Sequence, residues 1–481
     1  ETCGTEGGIT PAMTPSFKKR VQCIQSAFLI CAIAIAVGLV WTTLGNPESR
    51  EAARLETLQR TYIRGTITDR DGTPLSWSTK ANGYRSYIDG ETKQRAFSTV
   101  VGYYSPAYGT FGLEKTFNSQ LISSKCKSDG KQIGNTIQTT LDTNLQTATY
   151  SAISDIANGA AVVLDAKTGE IVSMASTPSF IQSDLEDNWS EYAQKTGLFL
   201  PNAYKSTFAP GSDFKIITAC AVLDNGVGDT NVNDRGSYTF KNGQTITNYD
   251  SRSFGSIGLE GAIRNSSNVY FITKALEMGG DKLEASLRKF KLGEDIPLDF
   301  TTLSSNLDFE DKRDEVVGSI AFGQGKTEVT PLYMAMACQS IVNHGTMLKP
   351  YLIKSVTAGN GTKDDTYTDS PEELTTVTSK ETADEVVSCM EVAADHYGFG
   401  YYGNQGWHVA AKTGTAQTGK STNAWIVTAL LDSNNDPQYV AVIMAADQHH
   451  DGIYYKNQLE DIFQATAKYD ASKNSSDSSD E

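Results

Sequence analysis

The longest uninterrupted hydrophobic stretch lies near the start of the chain. No charged residue occurs in Val21–Pro47, which exceeds the roughly 20 apolar residues that a membrane-spanning helix needs. We therefore predict a transmembrane anchor at 21–43. The basic cluster Lys18–Arg20 precedes it and predicts that residues 1–20 are cytoplasmic, because positive charge favours that side of a membrane. A cleaved signal peptide is the alternative, although the candidate cleavage site Ala34–Ala36 falls inside the apolar run.

The segment that follows shows only short and weakly apolar patterns. Residues 48–60 are charged, with apolar positions at helical spacing, and predict a juxtamembrane helix or linker. Polar and apolar residues alternate around Asp71-Gly72, which is typical of a hairpin turn. Glycine, tyrosine and serine are frequent up to about residue 135. We therefore predict a linker and a small irregular pedestal domain over residues 44–138.

Longer periodic patterns begin at residue 139. An apolar stripe at helical spacing covers 139–156, and two apolar runs across a glycine turn at 160–175 predict a buried hairpin. Three further strand patterns lie between residues 408 and 445. We expect these strands to pair with the early hairpin. The result would be one antiparallel sheet built from both ends of the domain.

The middle of this region is predominantly helical in pattern. One helix is expected to begin at Thr330-Pro331, where an N-cap residue is followed by proline in the first helical position. We therefore predict an α/β domain over residues 139–470. Residues 471–481 are rich in serine and aspartate and predict a disordered acidic tail.

Composition excludes several classes of function. The chain carries 41 Lys and Arg against 57 Asp and Glu, a net charge of −16, which argues against nucleic-acid binding through a basic face. Its seven cysteines form no Cys-x-x-Cys pair and have no companion histidine spacing. We therefore predict neither a metal site nor a cofactor.

Three short motifs carry the candidate chemistry. They are Ser212-Asp213-Phe214-Lys215, Ser266-Ser267-Asn268 and Lys412-Thr413-Gly414-Thr415, in this order. Each motif alone is weak evidence for chemistry, because the same pattern recurs elsewhere in the chain. Only this set combines the three motifs in the expected order with suitable surrounding sequence. The best competing Ser-x-x-Lys begins at Ser286, in a charged amphipathic helix, whereas Ser212 opens an apolar, buried helix.

These residue types suit acyl transfer through a serine ester. A serine hydroxyl needs a nearby base, and Lys215 lies one helical turn from Ser212. Burial and a second cation, Lys412, would keep Lys215 neutral and therefore basic. Ser266 can relay a proton to the leaving group, and Asn268 can orient a substrate amide.

The substrate would bind along the third motif. The N–H of Ser212 at a helix N-terminus and an N–H from the strand of Lys412–Thr415 would stabilise an oxyanion. The absent side chain of Gly414 would let a substrate lie against the strand edge.

Structural explanations compete at each position. Ser212 and Ser266 can simply cap helices, Asn268 can bond its own turn, and Lys412 can be a solvated residue at a strand end. A second Lys-Thr-Gly, at Lys167, is explained as a turn. Only the ordered combination of all three motifs favours chemistry.

Further short segments accompany the three motifs. They are Arg64-Gly-Thr-Ile-Thr-Asp-Arg-Asp-Gly, Gly112-Leu-Glu, Gly169-Glu-Ile-Val, Asn248-Tyr-Asp, Gly323-Gln-Gly, Val329-Thr-Pro and Lys412-Thr-Gly-Thr-Ala-Gln. With these segments the chain resembles class B penicillin-binding proteins, the membrane-anchored transpeptidases that cross-link peptidoglycan, over residues 17–468. Residues 60–140 are too few for a glycosyltransferase domain, which argues against the bifunctional class A proteins, and the chain is most similar to the compact subgroup of Gram-positive bacteria.

The resemblance implies a fold, a reaction and partners. The fold is that of serine β-lactamases and DD-peptidases. Ser212 would be acylated by the D-Ala-D-Ala end of a peptidoglycan stem peptide, with Lys215 as base, and β-lactams would acylate it as mimics. Thr413 would bind near the substrate carboxylate with Lys412, and Thr415 would give an oxyanion N–H.

The implied location is the cell membrane, with a single-pass anchor and an extracytoplasmic catalytic domain. The implied partner is a membrane glycan polymerase of the shape, elongation, division and sporulation family.

Rival functions use the same residues. A DD-carboxypeptidase differs only in its acceptor, water, and a β-lactamase or β-lactam sensor would share Ser212 and Lys215. A non-catalytic scaffold in a wall-synthesis complex is the non-enzymatic alternative.

Overall fold

The structure is a computed structural model. The residues that it describes are 15–44, 62–78, 84–122, 127–128, 131–367, 370–403, 406–419 and 421–477. The juxtamembrane segment predicted at 48–60 lies outside them.

An N-terminal helix, α1 (Pro15–Leu44), covers the predicted anchor. Apolar side chains along its middle are exposed, among them Phe28 and Ile30. Within the part of the chain that the structure describes, no helix is both long and apolar enough to cross a membrane. The anchor at 21–43 therefore stays a prediction.

The remaining elements divide between a small N-terminal region and a large C-terminal one. The first region contains β1 (Tyr62–Ile63), β2 (Ile67–Thr68), β3 (Pro74–Ser78), β4 (Arg85–Tyr87), α2 (Glu91–Ser98), β5 (Tyr104–Ser105), β6 (Gly109–Thr110), α3 (Leu113–Thr116), α4 (Asn118–Ile122), β7 (Lys127–Ser128), β8 (Lys131–Ile133) and β9 (Thr136–Thr139).

The helices of the second region are α5 (Thr143–Ile153), α6 (Trp189–Tyr192), α7 (Asn202–Lys205), α8 (Lys215–Asp224), α9 (Leu259–Arg264), α10 (Asn268–Met278), α11 (Gly280–Lys289), α12 (Asp314–Ile320), α13 (Pro331–Val342), α14 (Lys380–Tyr397) and α15 (Lys456–Asp477). Its strands are β10 (Gly159–Asp165), β11 (Ile171–Thr177), β12 (Val232–Asp234), β13 (Ser237–Thr239), β14 (Thr245–Thr247), β15 (Gly255–Ile257), β16 (Thr346–Leu348), β17 (Ile353–Thr357), β18 (Glu373–Thr376), β19 (His408–Gln417), β20 (Thr422–Leu431) and β21 (Pro437–Gln448).

The small region is built on a sheet that local patterns only partly predict. Strands β2 and β3 pair across Asp71-Gly72, which confirms the predicted hairpin. The complete sheet has the order β17-β9-β2-β3-β4 and includes the parallel pair β2–β9. Strand β17 comes from far down the chain and pairs with β9 at Thr139. The two predicted domains therefore share one sheet.

A buried ionic cluster holds the small region together. The Glu114 carboxylate is wholly buried and accepts from Arg64 Nε and Arg85 Nε, each at 2.6 Å. Burial alone would raise the pKa of Glu114, but the positive charges of Arg85 and Arg64 outweigh it and lower the pKa. The two guanidinium groups offset the desolvation of this buried carboxylate.

The central sheet of the large region is antiparallel, with the order β11-β10-β21-β20-β19. Strand β10 pairs with both β11 and β21, which confirms that the sheet joins both ends of the domain. Alternate residues of β10 enter two separate cores: Val162 packs among the helices on one face, and Val163 packs on the other face. A strand that is buried on both faces has a continuous apolar sequence, as residues 160–164 do.

Two helices beneath one face support the site. Every residue of α13 is buried, and Thr330 caps it by accepting from the Tyr333 N–H, as predicted. Helix α8 is buried along nearly all its length, which agrees with its apolar residues on all sides.

The C-terminal helix α15 is longer than expected. It continues to Asp477, and Lys473 Nζ lies 3.3 Å from Asp165 Oδ2 at the end of β10. The disorder predicted from residue 471 is therefore wrong for 471–477, because composition did not reveal this contact with the sheet. Residues 478–481 lie outside the described chain.

Candidate active site

Ser212 lies on a tight turn that leads into α8. A 3₁₀ turn, Gly211–Phe214, precedes the α-helix, so two helical segments occur where the sequence predicts one. Gly211 adopts a φ of +58°, and a Cβ there would lie 2.9 Å from the backbone of Thr415. Both facts require glycine at this position. The turn consequently packs directly on β19 and leaves Ser212 partly exposed.

A second glycine supports the same turn. The Gly211 N–H donates to the Gly323 carbonyl oxygen at 2.9 Å. A Cβ at Gly323 would lie 2.1 Å from the Gly211 carbonyl oxygen. Gly323 thus packs behind the candidate nucleophile, a role that the sequence did not reveal.

Lys215 is the most highly connected side chain of the site. Its Nζ lies 2.9 Å from Ser212 Oγ, 2.7 Å from the Ser266 carbonyl oxygen and 2.8 Å from Asn268 Oδ1. A neutral amine has two N–H groups and one lone pair. The two carbonyl oxygens accept from the two N–H groups, and the lone pair is then left for the Ser212 hydroxyl. This arrangement fits a base.

The electrostatic surroundings favour the same neutral form. Burial lowers the pKa of Lys215 well below its ordinary value, and the positive charge of Lys412 lowers it further. The negative charges of Asp213 and Asp234 act in the opposite direction but are outweighed. Desolvation and a like charge disfavour the ammonium form, as expected from the sequence.

Ser266 lies between the two lysines. Its Oγ is 3.1 Å from Lys215 Nζ and 3.1 Å from Lys412 Nζ. Ser266 does not cap the next helix, because Ser267 performs that role by accepting from the Tyr270 N–H. The alternative explanation of Ser266 as an N-cap is therefore wrong, and its hydroxyl is available between two nitrogen atoms.

Lys412 is not a solvated residue at a strand end. It lies within β19 and is wholly buried, and its Nζ donates to the Thr413 carbonyl oxygen at 2.7 Å. The hydroxyl of Tyr397, at the end of α14, lies 3.4 Å from the same nitrogen. Sequence reasoning missed Tyr397, because no motif connects it with the third segment.

The neighbours of Lys412 alternate across β19. Thr413 and Thr415 are partly exposed, whereas Gly414 is buried between them. A Cβ on Gly414 would point inward, 2.9 Å from the Asp213 carboxyl group and from the Pro210 carbonyl oxygen. Packing of the Ser212 turn therefore explains glycine at 414. The predicted contact of Gly414 with a substrate stays a prediction.

Asp213 is an unexpected member of the site. Its side chain is wholly buried, and among the described residues neither carboxyl oxygen has a hydrogen-bond partner. Burial raises the pKa of Asp213 well above its ordinary value, although Lys412 and Lys215 act in the opposite direction. A buried carboxyl group with no donor is disfavoured as an anion. Nothing in the Ser-x-x-Lys pattern predicts that the residue in its second position is a buried carboxyl group without a hydrogen-bond partner.

The decoy motifs lie in other surroundings. Ser286 is on α11, where its hydroxyl accepts from Asn225 Nδ2 at 3.1 Å. Lys167 is in the turn between β10 and β11, and its Nζ donates to Gln438 Oε1. The five predicted catalytic residues, in contrast, come together in one cluster: Ser212, Lys215, Ser266, Asn268 and Lys412.

The chain matches two known families. Residues 159–466 match the family described as the penicillin-binding protein transpeptidase domain. Residues 64–144 match the penicillin-binding protein A dimerisation domain.

Curated relatives cover different shares of their own length. Penicillin-binding protein 3 of Bacillus subtilis is 30% identical over 70% of this chain, and the match spans 51% of that relative. The peptidoglycan D,D-transpeptidase PbpA of Mycolicibacterium smegmatis is 26% identical over 80% of this chain and 84% of its own. The chain thus spans about half the length of the first relative and most of the second.

Solved structures share the fold. The D,D-transpeptidase domain of a peptidoglycan glycosyltransferase from Eggerthella lenta is 29% identical, with a TM-score of 0.75, over 85% of this chain and 99% of that one. Penicillin-binding protein A from Mycobacterium tuberculosis, as an imipenem acyl-enzyme complex, has a TM-score of 0.74 at 22% identity, over 85% of this chain and 99% of that one. At that lower identity the likeness concerns the fold alone.

Proposed function

Since the chain belongs to the penicillin-binding protein transpeptidase family, we propose that it is a serine-type peptidoglycan D,D-transpeptidase whose acyl-enzyme forms on Ser212. One observation carries the proposal. Lys215 Nζ has two carbonyl acceptors for its N–H groups and lies 2.9 Å from Ser212 Oγ, so a neutral Lys215 would direct its lone pair at the serine hydroxyl. A capping serine beside a structural lysine would not need this arrangement.

Acylation begins when Lys215 takes the proton of Ser212. Oγ attacks the carbonyl carbon between the last two D-alanines, and the oxyanion accepts from the N–H groups of Ser212 and Thr415. Strand β19 is an edge strand, so alternate N–H groups point away from β20. The proton then passes through Ser266 to the departing D-Ala amine, which leaves an ester on Ser212.

The ester is resolved by the reverse sequence. The amine of a neighbouring stem peptide attacks the ester carbonyl and loses its proton to Lys215. Lys215 then returns this proton to Ser212 Oγ as the ester bond breaks, which restores the Ser212 hydroxyl. Lys412 supplies the positive charge that attracts the substrate carboxylate. The Thr413 hydroxyl would bind near the same carboxylate. Asn268 orients the peptide amide. A β-lactam would acylate Ser212 in the same way, but its leaving amine stays attached to the acyl group.

The same site would serve water as acceptor, so a DD-carboxypeptidase is the second candidate function. A β-lactamase and a non-catalytic scaffold are outcomes that the experiment below separates. A β-lactam sensor would form a persistent adduct but would convert no stem peptide. For the cellular setting, we propose a single-pass anchor at 21–43 with the catalytic domain outside the cell membrane. A membrane glycan polymerase of the shape, elongation, division and sporulation family would be its partner.

The first experiment is intact-protein mass spectrometry of the full chain with benzylpenicillin, followed over hours. We expect a persistent adduct that maps to Ser212 and is lost in Ser212→Ala. Lys215→Ala should slow acylation by at least about 100-fold, the scale of general-base loss. Ser286→Ala and Lys167→Ala, which change the decoy motifs, should leave the adduct and its rate unchanged.

Each outcome decides between functions. An adduct that disappears within seconds would identify a β-lactamase and overturn the transpeptidase proposal. No adduct would favour the scaffold. Where the adduct persists, a stem-peptide substrate with and without an acceptor amine distinguishes cross-linked product from the shortened peptide that a carboxypeptidase releases.

A further inference from the structure

A buried carboxylate lies behind the second motif, at the end of β12. Asp234 is wholly buried, and its carboxylate accepts from the Gly236 N–H at 2.8 Å and the Ser267 hydroxyl at 2.5 Å. Asn248 Nδ2 also donates to it, at 2.8 and 2.9 Å from the two oxygens. Such a network is stable only when its members are satisfied together.

Asn248 extends this network to the candidate active site. Its side-chain oxygen accepts from the N–H groups of Asn268 at 2.8 Å and Val269 at 3.2 Å. These are the first N–H groups of α10, which have no partner within the helix itself. Asn248 Nδ2 also closes its own turn by donating to the Arg252 carbonyl oxygen. One amide therefore connects Asp234 with the backbone of Asn268.

The turn that this network holds is conformationally unfavourable. Ser266 has a φ of +54°, which residues with a side chain rarely adopt. Such a conformation persists only where the surroundings impose it. Both carbonyl acceptors of Lys215, the Ser266 oxygen and Asn268 Oδ1, depend on this turn. A small displacement of the turn would remove the acceptors that direct the lone pair of Lys215.

We propose that Asp234 and Asn248 are positioning residues, which hold Ser266 and Asn268 where Lys215 needs them. The inference rests on the proposed function of the site. Neither residue touches the reacting atoms, so both act through the turn. The sequence offered only a family likeness at Asn248-Tyr-Asp and nothing at Asp234.

The test is the saturation kinetics of benzylpenicillin acylation in the full chain. Asn248→Ala and Asp234→Asn should each lower the maximal acylation rate constant about 10-fold or more, because small misplacement near a base is costly. The dissociation constant of the non-covalent complex should change less than about threefold. The matched control is Ser253→Ala, which removes a hydrogen bond to the backbone oxygen of Asp234 and spares its carboxylate. It should acylate like the wild type.

A double-mutant cycle separates positioning from a general loss of structure. In an Asn268→Ala background, Asn248→Ala should have a smaller effect than in the wild type, because one of the two Lys215 acceptors that the turn positions, Asn268 Oδ1, is already gone while the backbone N–H groups remain. Penalties that multiply in full would overturn the inference, as would wild-type kinetics in both single variants. If Asn248→Ala does not fold, the cycle is run with the isosteric Asp234→Asn. A wild type that is never acylated would instead reject the proposed function.

Discussion

Replacing Asp213 by asparagine should make the protein more stable, and increasingly so as the pH rises. The carboxyl group is buried beneath β19 with no hydrogen-bond donor among the described residues. Burial raises the pKa of Asp213 well above the ordinary value. Asparagine keeps the shape and the polarity but cannot ionise.

The sign follows from linkage between ionisation and folding. Because the pKa is raised in the folded state, the stabilising contribution is fully present below the unfolded pKa of about 3.9. It is lost as the pH rises through the folded pKa. Within that window, the advantage of Asp213→Asn in unfolding free energy should grow by about 1.4 kcal/mol per pH unit. Below the window the two proteins should differ little.

The assay is urea unfolding at pH 4.5, 5.5 and 6.5, with the difference between variant and wild type as the readout. Asp308→Asn is the control, because a hydrogen bond from Lys326 lowers the pKa of this half-buried carboxylate. Its substitution should therefore not become more favourable as the pH rises. Parallel stability curves for wild type and Asp213→Asn would refute the reasoning, since they would mean that Asp213 ionises normally in the folded protein.

Three further predictions concern other parts of the structure. Gly414→Ala places a Cβ 2.9 Å from the Asp213 carboxyl group, so it should slow benzylpenicillin acylation about 10-fold or more. Gly400→Ala, where an added Cβ has no atom within 4 Å, is the control. Equal acylation rates in the two variants would contradict the packing argument. Glu114→Gln should lower the unfolding free energy by about 3–5 kcal/mol, because it leaves two buried arginines without a counter-charge. The lowered pKa of Glu114 also predicts that its contribution disappears as the pH falls, and a Glu114→Gln deficit that persists in acid would count against this. Thr330→Ala should cost about 1 kcal/mol through loss of the N-cap, measured by urea unfolding, and no change would exclude a capping contribution.

Local sequence determined the elements and the chemistry. The apolar runs at 160–175 and 408–445 predict strands because side chains buried on both faces must be apolar. The order of the three motifs predicted Ser212, Lys215, Ser266, Asn268 and Lys412 as the catalytic set, and the fold brings them into one cluster. The family likeness is confirmed over residues 159–466. Thr330-Pro331 located the start of α13 because capping depends only on neighbouring residues.

The failures of prediction share a cause. One partner of β9 is a strand more than 200 residues away, and Lys473 of α15 contacts an aspartate at the end of β10. Gly414 packs against the underside of the Ser212 turn, which its motif did not predict, whereas its contact with a substrate stays a prediction. None of these contacts leaves a periodic pattern, because each joins residues that are distant along the chain.

The sequence by itself determined which groups could react, because a serine, two lysines and an asparagine at motif spacing define the available chemistry. Only the tertiary structure decided their state. The pKa of Lys215 is lowered well below its ordinary value by burial and by the positive charge of Lys412, which lies almost 200 residues further along the chain. Its hydrogen-bond acceptors are set by a turn that rests on Asp234 and Asn248. Charge and orientation depend on what surrounds a group in space, and that is fixed by packing of remote segments.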